Sequence, residues 1–156
     1  MHVRRLARIS ALQALYELDT TSHPVDQVIT YRLADHYMPS EGEAFLRELV
    51  SGVCKNRERL DAMIQRYAPA WPVSQIAIID RNILRIALLE LTSCPPGTST
   101  PDTPPKVAIN EAVDLAKAFG SESSSRFVNG VLGTAVNDLR LMNDEQPAPA
   151  LVTEEA

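Results

Sequence analysis

The residues best able to do chemistry stand at the start of the chain, where Arg4, Arg5 and Arg8 open an apolar helical pattern. A cation near a helix N-terminus opposes the macrodipole, at about 0.3–1 kcal/mol each when exposed. Arg4 and Arg8 are also like charges at i, i+4, which adds a smaller penalty. A positive cluster in an unfavourable place suggests a bound anion, and nucleic-acid phosphate is the obvious candidate. The duller reading is a frayed terminus with uncommitted charge, and the residues alone leave both open. A second candidate is Phe127, which follows Arg126 and a serine-rich linker at a predicted helix start. An aromatic there can stack on a base while free helix amides meet a phosphate. It also lies on an apolar stripe, where a single Phe is ordinarily core. Gln13 and Tyr16 on the first helix face the same choice.

Catalysis finds little to stand on. His2, His23 and His36 are not at metal-ligand spacing. There is no G-x-S-x-G, Walker loop or dinucleotide glycine pattern. Glu111 and Asp114 lie three apart on a predicted helix without a partnered base, and read as a solvated face. Cys54 and Cys94 make neither a disulfide framework nor a zinc motif, so both are expected to be reduced in a cytoplasmic protein. No enzymatic activity, cofactor or metal is expected, and no apolar run is long enough to span a bilayer.

The elements that position these residues follow from periodicity. Leu6, Ile9, Leu12, Leu15, Tyr16 and Leu18 fill most of the circumference of a first helix over about 3–19. Pro24 is placed in the first turn of a second helix carrying Val25, Val28, Ile29 and Leu33. Ser40-Glu41-Gly42-Glu43 has the form of a capping box before a third helix with Phe45, Leu46, Leu49, Val50 and Val53. Asn56 interrupts it before a fourth stripe of Leu60, Met63, Ile64 and Tyr67, and Pro69 and Pro72 set Trp71 in a corner.

From Ser74 to Leu91 the chain is apolar on nearly every side, which marks a bundle axis or a helix covered by a partner. Residues 93–105 form a Pro/Thr/Ser/Gly loop expected to be mobile. A sixth helix carries Ile109, Ala112, Val113, Ala116 and Phe119, with Gly120 as its C′ residue. A seventh carries Phe127, Val128, Val131, Leu132, Ala135, Val136 and Leu139. The expectation is one domain over 1–142 and a disordered acidic tail over 143–156.

Composition agrees with helices, since aromatics make up only 5% of the chain and the core must come from Leu, Ile, Val and Ala. The net charge of −5 argues against a free-standing binder of duplex DNA. Residues 1–16 hold three basic residues and no acid, so any contact with nucleic acid must be local and begin at the N-terminus.

Three stretches resemble the NusB family of transcription antitermination factors. The first is Arg4-Arg5-Leu6-Ala7-Arg8 leading into Ala11-Leu12-Gln13-Ala14-Leu15-Tyr16. The second is Asp80-Arg81-Asn82-Ile83-Leu84-Arg85-Ile86-Ala87 with Glu90-Leu91. The third is Val107-Ala108-Ile109-Asn110-Glu111-Ala112-Val113, Leu115-Ala116-Lys117 and Phe119-Gly120, followed by Phe127-Val128-Asn129-Gly130-Val131-Leu132.

The resemblance implies an all-α fold of about seven helices in two packed subdomains. It implies pairing with NusE, a small-subunit ribosomal protein, to hold the single-stranded boxA element of nascent RNA within an RNA polymerase antitermination complex. By position, Arg4, Arg5 and Arg8 would contact phosphates, with Gln13 and Tyr16 adding side-chain contacts. Phe127 would stack on a base, bordered by Lys117, Ser121, Ser123 and Arg126. Asp80 would face the NusE-like partner with Ile76, Ile83 and Ala87 nearby. The competing expectation is a dimeric protein-interaction module that buries its RNA surface.

Overall fold

Wherever it is described, the chain builds its regular structure from helices alone. The computed structural model describes residues 2–98 and 100–145. Its α-helices are α1 (His2–Thr20), α2 (Val25–Asp35), α3 (Ser40–Lys55), α4 (Arg57–Tyr67), α5 (Ile78–Thr92), α6 (Pro105–Phe119) and α7 (Ser124–Glu145). A 3₁₀ turn over Val73–Gln75 precedes α5.

Helix α5 is the axis. It packs against α1, α3, α4, α6 and α7, while α1 also holds α2 and α3, and α7 holds α4 and α6. The first three helices and the last four thus form two groups, but their apolar faces merge on α5 into one core. Leu12 and Leu15 of α1, Val28, Leu46 and Val50, Leu60 and Ile64, Ile83, Leu84 and Leu88, and Leu132 are all fully enclosed in it. Each such side chain stabilises the fold by roughly 1.5–3 kcal/mol relative to exposure. The apolar circumference of α5 is therefore explained by its own chain, and no partner is needed to cover it.

Polar residues at the far end of α1 fix its direction. The Asp19 carboxylate accepts hydrogen bonds from Arg57, from Asn82 Nδ2 at 3.0 Å and from Arg85 at 3.1 Å. Arg85 also donates a fork to Asp61, at 2.8 and 2.9 Å. Burial alone would lower the Arg85 pKa, but Asp61 and Asp19 outweigh it and the pKa is raised.

Helix ends differ from expectation in three places. Pro24 is the N-cap of α2 and not a residue of its first turn. Ser40 lies inside α3, whose N-cap is Pro39, and no side chain caps it, so the capping box is not made. Glu43 instead pairs with Arg47 one turn on. Gly120 has φ −91°, so no left-handed cap is formed there. Its role is close approach: a Cβ at Gly120 would lie 2.5 Å from the Ser124 side chain and 2.8 Å from the Ala116 carbonyl.

Within 93–105, Pro95-Pro96-Gly97-Thr98 makes a turn closed by Thr98 N–H to the Pro95 carbonyl at 3.1 Å. Gly97 sits at φ +82°, the conformation that only glycine adopts freely. The other end of the loop is anchored, because buried Thr103 donates to Glu90 Oε1 at 2.9 Å. Helix α7 continues through Glu145, past the expected boundary near 143, and the rest of the expected tail lies outside the described residues.

Candidate nucleic-acid interface

Helices α1 and α6 both pack on α5, and a row of hollows runs beside α1, bordered first by α6 and then by Arg32 of α2 and Ile79 of α5. Three adjoining hollows of about 380, 360 and 330 Å³ make it up. Arg4, Arg5 and Arg8 line the first, Arg5 and Lys117 the second, and Gln13, Tyr16 and Arg32 the third. The first two share Arg5 and Glu111, and the last two share Phe119. Six of the sequence-named RNA residues thus line this row of neighbouring hollows: Arg4, Arg5, Arg8, Gln13, Tyr16 and Lys117.

The arginines do not wait there for an external anion. Arg8 is buried, and its guanidinium forms a fork with Glu90 of α5, Nε to Oε2 at 2.9 Å and a terminal nitrogen to Oε1 at 2.8 Å. Arg5 donates to both oxygens of Glu111, at 3.2 and 2.8 Å, and reaches Asp114 at 3.4 Å. The Arg4 guanidinium carbon sits over the Phe45 ring at 3.9 Å from its centroid, with Asp102 at 3.9 Å. The helix-dipole penalty read from sequence is therefore answered by the chain's own carboxylates. For Arg8, expected on a phosphate, the fork leaves the residue 4% exposed and its guanidinium committed to Glu90, at the edge of the first hollow. Arg5, with its side chain 52% exposed, keeps a face open to a ligand.

The Arg5 hydrogen bond holds the Glu111 carboxyl below its ordinary range although partial burial works the other way. The same contact raises Arg5. Glu111 and Asp114, read from sequence as a solvated face, are the groove's acidic wall. Phe45 reads from sequence as core and Glu90 as part of a family-like stretch, and neither these nor Asp102 carries a local sign of its arginine partner. The legible hint was the i, i+3 spacing of Glu111 and Asp114, which puts both on one face of α6, with Lys117 a further three residues on.

Tyr16 is 43% exposed at the far end of the groove, and Gln13 beside it accepts from Arg32 at 3.2 Å. Phe119, expected on the core stripe, is 39% exposed and stands between the second and third hollows. Phe127 is half-buried against the core, with Arg126 exposed next to it. Ser121 and Ser123 are exposed at the α6–α7 corner, where Ser124 Oγ accepts from the Ser121 amide at 2.8 Å and fixes the turn. Lys117 and Arg126 have no carboxylate within ion-pair distance among the described residues.

The expected partner face is only partly accessible. Ile83 and Ala87 belong to the core at 0% and 1% exposure, which corrects their assignment to a partner surface. Ile76, just before α5, and Asp80, in its first turn, are also largely enclosed at 7% and 8% exposure, and Asp80 Oδ1 is buried without a hydrogen-bond partner. Cys54 and Cys94 are free, and partial burial raises both thiols, the reverse of an activated nucleophile. Among the described residues no three His, Cys, Asp or Glu gather into a metal site, and no helix is long and apolar enough to cross a membrane.

These features define a class: an all-α bundle whose cationic and aromatic side chains converge on a groove beside its first helix. Residues 5–137 match the NusB family. A relative from Roseiflexus castenholzii, the transcription antitermination protein NusB, is 51% identical over 138 residues, covering 88% of this chain and 94% of its own. The structure of T. maritima NusB superposes with a TM-score of 0.73 at 30% identity, over 83% of this chain and 87% of that one. A crystal structure of antitermination factors NusB and NusE with double-stranded RNA shares the fold, with a TM-score of 0.70 at 24% identity over 85% and 95% of the two chains. The chain belongs to the NusB family of transcription antitermination proteins.

Proposed function

We propose that this chain serves antitermination as a non-enzymatic adaptor that holds boxA-type single-stranded RNA in the trough of hollows beside α1. The carrying observation is the row of neighbouring hollows lined by Arg4, Arg5, Lys117, Gln13 and Tyr16. In this reading Arg4, Arg5 and Lys117 take phosphates, and Tyr16 and Gln13 meet bases. Phe127 and Arg126, with Ser121 and Ser123, extend the surface around the α6–α7 corner. Exposed aromatics beside cations suit unpaired RNA, whose bases can splay and stack. Arg8 supports the groove from behind.

The partner in this reading is a NusE-like small-subunit ribosomal protein seated over Ile76 and Asp80. A NusB–NusE complex that shares this fold supports such a pairing. The assembly would then act within the RNA polymerase antitermination complex.

Salt titration of RNA binding, with and without the NusE-like partner, tests the proposal. An Arg4→Ala/Arg5→Ala variant should bind more weakly, and its salt slope should fall by roughly 0.7 per lost phosphate contact. Unchanged slope and affinity in that variant would remove the trough from the RNA path.

A further inference from the structure

We infer that Glu111 and Asp114 are specificity determinants of the trough, which hold Arg5 until an RNA makes enough further contacts to displace them. The inference rests on the RNA-binding reading above.

The three N-terminal arginines show three kinds of carboxylate pairing, and only one suits exchange. Arg8 and Glu90 are both 5% exposed and locked as a fork, so neither can leave without exposing the other's buried charge. Arg4 and Asp102 meet at 3.9 Å with Asp102 largely in solvent, a contact too loose to compete with anything. Arg5 is different. Its fork to Glu111 is well formed, Asp114 adds a second acceptor, and the guanidinium is still open to the groove.

A carboxylate and a phosphate offer arginine the same planar pair of acceptors. An RNA phosphate arriving at Arg5 therefore exchanges one bidentate partner for another and gains little. The displaced carboxylates also stay close. Glu111 is mostly enclosed and lies 3.7 Å from Arg8, so it remains as a fixed negative charge in the groove wall. Asp114 is exposed and adds a second. An RNA that offers only backbone phosphates meets this repulsion without compensation. One that also engages Lys117 and places bases at Tyr16 and Gln13 recovers it elsewhere. The two acids then lower all RNA binding but lower incorrect binding more, which is discrimination by a repulsive element. The groove's order along α6, Glu111, Asp114, Lys117, sets acid against base within two turns of one helix.

Fluorescence anisotropy with the full chain and its NusE-like partner tests this, using a boxA-type RNA and a uridine-only RNA of equal length. The variants are Glu111→Gln and, because Glu111 is partly enclosed, the more exposed Asp114→Asn, each checked by thermal melting. Both should bind the uridine-only RNA about two- to fivefold more tightly, the range that loss of one exposed ion pair permits. Binding of the boxA-type RNA should improve less, so the ratio between the two narrows. If wild type binds the boxA-type RNA and the ratio is unchanged in folded variants, or both RNAs bind more weakly, the carboxylates are structural and the inference fails alone. If wild type and both variants ignore both RNAs, the inference falls together with the RNA-binding reading.

Discussion

Replacing Arg8 by alanine separates a structural arginine from a phosphate-binding one. In the fold, Arg8 and Glu90 face each other with both side chains 5% exposed, and Thr103 donates to the same carboxylate. Alanine would leave Glu90 buried with only a hydroxyl for company. Breaking a buried ion pair in this way costs about 3–5 kcal/mol, a large share of the roughly 5–15 kcal/mol that holds such a domain together. Arg8 also lies 5.1 Å from the Phe45 ring centroid, a smaller contribution in the same direction. At about 2–4 °C per kcal/mol for a chain of this size, the melting temperature should fall by roughly 6–20 °C.

The double variant Arg8→Met/Glu90→Leu removes the charge together with its partner, and should recover most of the loss. Urea unfolding followed by circular dichroism, run as a double-mutant cycle, reads both numbers. Suppose Arg8→Ala instead melts within about 1 kcal/mol of wild type while RNA binding collapses. The enclosed pair would then not describe the protein in solution, and Arg8 would return to the phosphate-binding set.

Three further outcomes follow from the same geometry. Ile83→Ala, at a fully enclosed position on the axis helix, should destabilise by about 2–5 kcal/mol in urea unfolding, whereas a partner-surface residue would lose partner affinity with stability intact. Gly120→Ala drives a Cβ into the Ser124 side chain and the Ala116 carbonyl, so it should cost about 1–3 kcal/mol and disturb RNA contacts at the α6–α7 corner. The depressed Glu111 carboxyl contributes stability above the ordinary carboxylate range, about pH 4.3, which is lost as pH falls through its lower folded value. Arg5→Ala removes the largest cause of that depression and leaves only the weaker pull of Arg8, so melting temperatures of wild type and variant should differ at neutral pH and draw together in acid; parallel curves would show that the pair is not ionic.

The fold was legible because helices announce themselves locally. The stripe Leu60, Met63, Ile64 and Tyr67 specifies α4 without reference to any other segment, and Asn56 marks its start by donating its side-chain amide to the Gly52 carbonyl. The continuous apolar run around Ile83 and Leu88 marked α5 as an axis, but periodicity could not say whether its cover came from the same chain. Tertiary packing decided that, and it turned Ile83 and Ala87 from surface into core. Charge pairing was still less visible. Arg8 meets Glu90 across 82 residues and Arg5 meets Glu111 across 106, separations at which no local rule operates.

The broken dipole rule was a true signal of an anion near α1, yet it carried no information about the anion's source. The chain supplies it, and the distinction matters for function. An arginine cluster awaiting phosphate binds nucleic acid indiscriminately, whereas one already matched to carboxylates binds only where an exchange is worthwhile. For a chain with net charge −5, selective contact requires that the few cations it exposes be held in place and their first partners be displaceable. In this chain Arg8 is locked to buried Glu90 while Arg5 is held by the more accessible Glu111 and Asp114, so two arginines three residues apart differ in their freedom to exchange partners.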